Sequence, residues 1–315
     1  MRIRYPIATR IRTTLTVVLG FAVPQFGESA HLQDNQDLAR FASTAEELGA
    51  DSLRVGDRLL APVDPTVGYG RGDGIPVQFR TCLDPFVSLA VAATVTTTAR
   101  LGSSVVVAPW YPPVQLARQL TSIDVISRGR LLPGFGIGWS PDEYQAAGAP
   151  FTRRGAQLEE LLDTLEALWT TNPVRHQGDR WSIPESWVEL KPIQRPRPPI
   201  FLGAFTPVGL KRIGERADGW LAAVQVPGGV RLDALNRQRK AIGDAARAAG
   251  RDPSDIATHV RINVAEGSRV EHVADAARLL ADNGYPDAFV DLLYVATGTD
   301  DYLDWVQRLL AARDG

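Results

Sequence analysis

Residues 101–136, LGSSVVVAPWYPPVQLARQLTSIDVISRGRLLPGFG, hold two short apolar runs separated by an amphipathic stretch. The runs at 101–109 and 129–136 are of the β type, and the apolar side chains of residues 114–126 recur at helical spacing. A strand, a helix and a second strand in this order are typical of a parallel β–α–β unit. The fold class then depends on how often this unit recurs.

The same alternation of strand and helix continues along the whole chain. The eight predicted strands are residues 17–23, 51–56, 101–109, 129–136, 198–204, 218–224, 257–264 and 287–295. Eight such units without a sustained break favour a single (β/α)8 TIM barrel over an open, doubly wound α/β sheet. The Gly/Pro-rich stretch 57–83 and a predicted hairpin at 174–183 indicate insertions after strands 2 and 4.

Composition excludes several classes of protein. The 315 residues are 44% hydrophobic and 22% charged, with a formal net charge of -2, so neither nucleic acid nor an anionic membrane is an expected partner. Cys82 is the only cysteine, which excludes an intrachain disulfide and argues against a cysteine-ligated metal site. A reducing cytoplasm fits this cysteine usage but does not follow from it, and a cytoplasmic location is our expectation.

The N-terminus combines four arginines with the apolar run 15–23, a pattern found in secretory signals. That run is also the first predicted strand, and its removal would take away a strand that the barrel needs. We therefore interpret residues 1–16 as a non-native or flexible extension and residues 17–315 as one domain.

Glycines occupy every second position at the end of the fourth strand, as Gly134, Gly136 and Gly138. A tight bend explains them, and so does a surface kept free of side chains so that a large ligand can lie against it. Directly afterwards, Ser140 and Glu143 predict the capping box of a short helix.

Five segments in this order resemble the luciferase-like monooxygenase superfamily, in particular the branch that uses the deazaflavin coenzyme F420. The segments are LGFAVPQFG (19–27), AEELGADSLRVGDRLLAPVDP (45–65), RLGSSVVVAPWYPPVQLARQLTSIDVISRGRLLPGFGIGW (100–139), PDEYQAAGAPFTRRGAQLEELLDTLEALW (141–169) and RPPIFLGAFTPVGLKRIGERADGW (197–220). The resemblance spans about residues 18–310, and the order of its parts is more specific than any one of them.

The resemblance implies that F420 lies across the C-terminal ends of the barrel strands. The glycine run would form one wall of its pocket, and the N-terminus of the helix after strand 5 would hold the phosphate-bearing tail. A bulge in strand 3, where relatives carry a non-proline cis peptide, would back the ring. The residues assigned to the coenzyme on this basis are Ser104, Val105, Gly136, Ile137, Gly138, Gly203, Ala204 and Phe205.

Asp57 and Arg58 match a catalytic Asp-His pair of the F420-dependent relatives. Arginine cannot act as a general base near neutral pH, so Arg58 is expected to hold an anionic substrate or the ionised ring oxygen. Trp110 and Trp139 could form an aromatic wall over the substrate, with plain packing as the alternative. Trp139 also stands where sugar-phosphate dehydrogenases of the superfamily carry a glutamate, which disfavours a sugar phosphate as substrate.

The sequence therefore predicts an F420-dependent oxidoreductase that transfers a hydride to or from a small organic substrate. An FMN-dependent monooxygenase is the nearest alternative, and a non-catalytic protein that binds flavin or F420 is the second. A homodimer is expected from the family resemblance. No metal site is predicted.

Overall fold

The computed structural model describes residues 17–30, 37–70 and 72–314. The proposed extension, residues 1–16, lies outside the described residues. The fold is of the α/β class, with a curled sheet of ten parallel strands. The described residues form twelve strands, and all but β7 and β8 belong to this sheet. They are β1 (Val18–Ala22), β2 (Ser52–Val55), β3 (Arg100–Ser103), β4 (Val106–Val107), β5 (Leu131–Leu132), β6 (Gly134–Gly136), β7 (Val174–Gln177), β8 (Ser182–Ser186), β9 (Phe201–Leu202), β10 (Gly219–Val226), β11 (Ala257–Val264) and β12 (Asp287–Asp291).

The order of the ten strands is β4-β6-β9-β10-β11-β12-β1-β2-β3-β5. Each of the predicted third and fourth strands is divided in two. Ser104 and Val105 separate β3 from β4, and Pro133 separates β5 from β6. Because β3 pairs with β5 and β4 pairs with β6, both ends of the sheet are built from the same two chain segments.

β7 and β8 lie outside this sheet and form an antiparallel hairpin, which confirms the hairpin predicted at residues 174–183. The helices are α1 (Asp37–Glu47), α2 (Pro85–Val95), α3 (Pro113–Ile126), α4 (Pro141–Ala146), α5 (Arg154–Thr170), α6 (Pro207–Arg216), α7 (Leu232–Ala248), α8 (Val270–Asp282) and α9 (Thr299–Asp314).

Local sequence accounts for where two of these helices begin. Asp84 caps α2, since its carboxylate accepts from the backbone N–H groups of Phe86 and Val87 at 2.8 and 2.9 Å. Thr206 caps α6 in the same way, accepting from Gly209 at 3.3 Å. The cap on α6 sets the direction in which the chain leaves β9, at the edge of the candidate site.

The core lies on both faces of the sheet. α5 buries one apolar stripe, which includes Leu161, Leu165 and Leu168, against its neighbours. Phe21 and Leu53 on the strands are fully buried. Each such side chain stabilises the fold by about 1.5–3 kcal/mol through burial. This core holds the strand ends, where the candidate site lies, at fixed positions.

Candidate active site

The residues assigned from sequence follow the carboxyl ends of neighbouring parallel strands, so the fold brings them to one side of the sheet. Asp57 follows β2, Ser104 and Val105 follow β3, Gly136 ends β6, and Gly203 follows β9. In sheets of this kind the reactive groups stand at that side, on loops held by the strands. We call this side of the sheet the mouth.

The peptide bond between Ser104 and Val105 is cis, as the resemblance implied. The Val105 side chain fills the space next to two of the glycines. A Cβ atom at Gly136 would lie 2.6 Å from Val105 Cγ2, and one at Gly203 would lie 2.9 Å from Val105 Cγ1. Both glycines therefore make room for Val105, so what lies directly beside them is a side chain of this protein.

Gly138 has a different reason to be glycine. Its φ of +62° lies in the left-handed region, and a Cβ there would lie 2.7 Å from Val107 Cγ1. The next turn is fixed by Tyr144, whose hydroxyl donates to the carbonyl of Ile137 at 2.6 Å. The tight bend therefore explains Gly138. Val105, Gly136 and Gly203 together form what we call the glycine wall.

Ala204 and Phe205 connect β9 to α6. The carbonyl of Ala204 accepts from Trp220 Nε1 at 3.2 Å, and Phe205 is 55% exposed. The assignment of this segment to the phosphate end of a coenzyme stays a prediction. The segment leads into the capped N-terminus of α6 at the edge of the mouth, and a helix N-terminus is a favourable place for an anion.

Asp57 is buried at the end of β2. Its Oδ2 accepts from the Val107 backbone N–H at 3.0 Å, and the Tyr111 hydroxyl lies 3.1 Å from both carboxylate oxygens. Burial raises the pKa of Asp57 to about 7, although both donors act in the opposite direction. Asp57 can therefore gain and lose a proton near neutral pH. Tyr111 was not predicted from the sequence as a site residue, and its one signal there is its place just after strand 3.

Arg58 is not free at the mouth. Its Nη1 lies 3.2 Å from Glu143 Oε2, and the two side chains are only 7% and 2% exposed. The guanidinium also stacks over the rings of Phe79 and Trp139, with 4.9 and 4.6 Å from Cζ to the centroids. Glu143 thus balances the charge of Arg58, and the expected role in holding an anion stays a prediction.

The predicted capping box at α4 is only half correct. Ser140 accepts from the Glu143 backbone N–H at 3.3 Å, but the Glu143 carboxylate points to the loop after β2. Its Oε1 accepts from the backbone N–H groups of Leu59 at 2.8 Å and Leu60 at 3.4 Å. In this position the Glu143 carboxylate is stabilised by the buried Arg58 charge and by two backbone N–H groups. At the start of the helix it would have a single backbone N–H as its partner. Glu143 therefore fastens the 57–83 loop to the segment after the glycine wall.

The two tryptophans differ in their surroundings. Trp139 is half-buried and lies against Tyr69 of the 57–83 loop, with 5.4 Å between ring centroids. Trp110 is 6% exposed and packs edge-on against Tyr144. Packing is the role that the structure gives Trp110, while Trp139 lies beside the mouth. Contact of either residue with a substrate stays a prediction.

The described ranges contain no group of three or more His, Cys, Asp and Glu side chains that could hold a metal ion. In the same part of the chain, no helix is long and apolar enough to cross a membrane.

A sequence profile of the family described as luciferase-like monooxygenase matches residues 15–311. The chain belongs to this family. An uncharacterised protein of Mycobacterium tuberculosis is 35% identical over 232 residues, which cover 71% of this chain and 79% of that protein. A phthiodiolone/phenolphthiodiolone dimycocerosates ketoreductase of the same species is 29% identical over 74% of this chain, although the match spans only 62% of the ketoreductase.

Solved structures with the same fold include proteins that use either coenzyme. A monooxygenase from Streptomyces bottropensis has a TM-score of 0.72 at 20% identity, covering 93% of this chain and 97% of its own. The coenzyme F420-dependent tetrahydromethanopterin reductase of Methanopyrus kandleri has 0.68 at 16%, covering 94% and 97%. An FMN-bound type II Baeyer-Villiger monooxygenase component from Pseudomonas putida has 0.61 at 20%, covering 84% and 71%. These likenesses show the fold. Members of the luciferase-like family are oxidoreductases or monooxygenases.

Proposed function

We propose that this protein is an F420-dependent oxidoreductase that transfers a hydride between the coenzyme and a small organic substrate at the mouth of a closed (β/α)8 barrel. Closure of the barrel is supported by the divided third and fourth strands, which supply both ends of the strand order. The insertions would be the 57–83 loop and the segments between β6 and β9.

The observation that carries the proposal is the glycine wall. Gly136 and Gly203 bring the backbone of two strand ends against the half-buried Val105 side chain. Backbone and this one valine would then form an apolar surface at the mouth. A flat ring can stack on such a surface without meeting a protruding side chain. Deazaflavin and flavin rings both have this shape, so the wall fits either coenzyme. The resemblance to F420-dependent relatives decides our choice between them.

The roles of the protein's own groups follow from their surroundings. Bound F420 would supply the hydride, and the chain would supply position and proton exchange. Asp57 is the residue best suited to hold or release a proton, since its pKa of about 7 keeps both forms populated near neutral pH. The Glu143–Arg58 pair would keep the 57–83 loop against the mouth and exclude water.

The nearest alternative is an FMN-dependent monooxygenase, supported by the FMN-bound structure of the same fold. A non-catalytic coenzyme-binding protein is the second. The likeness to a ketoreductase supports carbonyl compounds as first candidates for the substrate. A homodimer, expected from the family resemblance, and a cytoplasmic location, which the single cysteine fits, belong to the same proposal.

Turnover of reduced F420 tests the activity. The purified protein would be mixed with reduced F420 and, separately, with ketones, enones and nitro compounds, and coenzyme oxidation would be followed by absorbance. We expect oxidation that depends on one of these substrates. Oxygen-dependent turnover of reduced FMN under the same conditions would favour the monooxygenase. No detectable turnover with either coenzyme would favour the non-catalytic protein.

A further inference from the structure

A groove lies between α7 and the chain segment that enters β11. Its volume is about 420 Å³, within the range of pockets that hold small molecules. One side is a stripe along α7, formed by Asn236, Arg239, Lys240, Gly243 and Arg247, and members of the segment 253–258 form the other side. We call it the α7 groove.

The α7 groove is remote from the mouth. Thr258, which lines the groove, is the second residue of β11, whereas the mouth lies at the carboxyl end of that strand, beyond Val264. Six residues of a β-strand span about 20 Å. A small molecule bound in the α7 groove would therefore not reach the residues of the candidate active site.

The lining of the groove carries an excess of positive charge. Arg239, Lys240 and Arg247 line it, and among the described residues no carboxylate does so. Asp244, just outside, pairs with two of these cations, since its carboxylate oxygens lie 2.7 Å from Lys240 Nζ and 2.7 Å from Arg247 Nη2. Arg239 instead donates to the carbonyl of Gly284 at 3.1 Å. Three cations and one carboxylate leave a net charge of +2.

The position of the Arg247 guanidinium is fixed by its distance from the floor of the groove. A Cβ atom at Gly243 would lie 3.7 Å from both terminal nitrogens of Arg247. The bond to Asp244 uses Nη2, and Nη1 has no hydrogen-bond partner in the described ranges. Arg239 lies at one end of the groove, with its Cζ 5.2 Å from the ring centroid of Tyr285. An anion beside Gly243 would therefore meet a guanidinium with donors to spare.

Gly243 keeps the floor of the groove free of a side chain. Glycine is less stable than alanine in the interior of a helix. Packing does not require glycine here, because the nearest neighbour of an added Cβ would be Pro253 Cβ at 3.5 Å, an ordinary contact. The missing methyl group leaves space next to Arg247, where a ligand can lie.

The charges next outward are of both signs. Arg251, Asp252 and Asp255 flank the groove on the β11 side, and none of them lines it. The Asp252 carboxylate accepts from the Ser254 backbone N–H at 2.9 Å. Solvent and salt weaken the effect of exposed charges that do not touch a ligand. The positive excess within the lining is therefore the charge that a bound molecule would meet.

We propose that the α7 groove binds a phosphate monoester, with its phosphate on the Arg247 guanidinium and its organic part along Pro253 and Ile256. A guanidinium offers paired N–H donors that match the oxygens of phosphate. The two negative charges of the phosphate match the net charge of +2. The groove is larger than a phosphate group alone requires, so the ligand has an organic part. This site does not depend on the proposed function.

Phenyl phosphate is the probe for this site. Isothermal titration of the coenzyme-free protein, at a pH where the phosphate is a dianion, should show saturable binding with a Kd of about 1 mM or below. Inorganic phosphate and succinate, which lack the ester's apolar part, should bind more weakly under the same conditions. Absence of saturable binding, or equal affinity for phenyl phosphate and either of the other anions, would overturn the proposal.

One variant and a matched control locate the bound ester. Arg247→Gln should weaken binding of phenyl phosphate at least about tenfold, equivalent to about 1.4 kcal/mol. Arg278→Gln is the control, because Arg278 is exposed and pairs with Asp275 at the same helical spacing that joins Arg247 to Asp244. The control should leave binding unchanged. Equal affinities of the two variants would place the ester elsewhere and overturn the site.

Two further variants test the charge and the space separately. Asp244→Asn should strengthen binding, since it raises the net charge from +2 to +3. Gly243→Ala should weaken binding without lowering the melting temperature, because the added Cβ has no close neighbour. Weaker or unchanged binding in Asp244→Asn, or unchanged binding in Gly243→Ala, would contradict the proposal. Because these titrations need neither coenzyme nor turnover, failure of the F420 proposal would not be mistaken for failure of this one.

Discussion

The glycine wall and the end of β2 lie on the same side of the sheet and are held together by different forces. At the wall, Gly136 and Gly203 meet the Val105 side chain, and the contact is apolar and steric. At the end of β2, Asp57 and the Arg58–Glu143 pair are buried charges, each fixed by hydrogen bonds or an opposite charge. The wall therefore depends on small volumes, and the end of β2 depends on the hydrogen bonds of Asp57 and on the Arg58–Glu143 ion pair.

Breaking the buried ion pair should strongly lower the stability of the fold. Glu143→Gln keeps an acceptor for the Leu59 N–H but leaves Arg58 buried without a counter-charge. The free energy of unfolding should fall by about 3 kcal/mol, measured by urea denaturation. Arg153→Gln breaks an exposed pair with Asp179 and should cost less than about 1 kcal/mol. Equal losses in the two variants would mean that the charged end does not depend on pairing.

The glycine wall is tested by adding one methyl group. Gly136→Ala places a Cβ within 2.6 Å of Val105 Cγ2, and the overlap should cost about 1–3 kcal/mol of stability. In a Val105→Ala background the same substitution should cost less, because the overlapping atom is gone. Gly74→Ala is the control, since nothing lies within 4 Å of the added atom. Equal costs of Gly136→Ala in both backgrounds would show that Val105 is not the obstacle.

A third test concerns the charge at Asp57. Burial raises its pKa from the ordinary 3.8 to about 7, so between these values the folded protein binds this proton more tightly than the unfolded chain. Stability from this group therefore falls as pH rises from about 4 to about 7, by at most about 1.4 kcal/mol per pH unit. Asp57→Asn should remove that slope. Urea denaturation of the wild type and the variant at several pH values would measure this slope. Parallel curves of unfolding free energy against pH for the two proteins would contradict the prediction.

The smallest effect should come from Tyr111. Its hydroxyl donates to the Asp57 carboxylate and stabilises the ionised form. Tyr111→Phe should therefore raise the pKa of Asp57 further, and the pH at which the stability slope levels off should move upward. A difference curve between this variant and the Tyr111→Phe/Asp57→Asn double variant isolates the shift. A downward shift would mean that the hydroxyl does not act as a donor to Asp57.

Much of the fold and part of the candidate site could be predicted from the sequence, because these features depend on local sequence patterns. The strand–helix alternation, the cap at Ser140 and the position of the Ser104–Val105 bulge all follow from neighbouring residues or from the family resemblance. Contacts between residues that are distant in the sequence could not be predicted in this way. Glu143 satisfies a helix-cap pattern and yet binds a loop about 80 residues earlier, because Arg58 is buried beside it.

The glycines show the same limit. Their spacing indicated a strand end and a surface without side chains, but it could not show that Val105 occupies the space beside Gly136. Tyr111 gave no pattern of its own, since its role depends on Asp57, which lies 54 residues away. Residue types were thus visible in the sequence, and the contacts that define their chemistry needed the fold.

The central claim is that the mouth binds F420. Coenzyme-free protein would be titrated with F420 and, in parallel, with FMN, following binding by fluorescence quenching of the coenzyme. We predict saturable binding of F420 that is tighter than binding of FMN and is weakened in Gly136→Ala. Tight binding of FMN without measurable affinity for F420 would contradict the account.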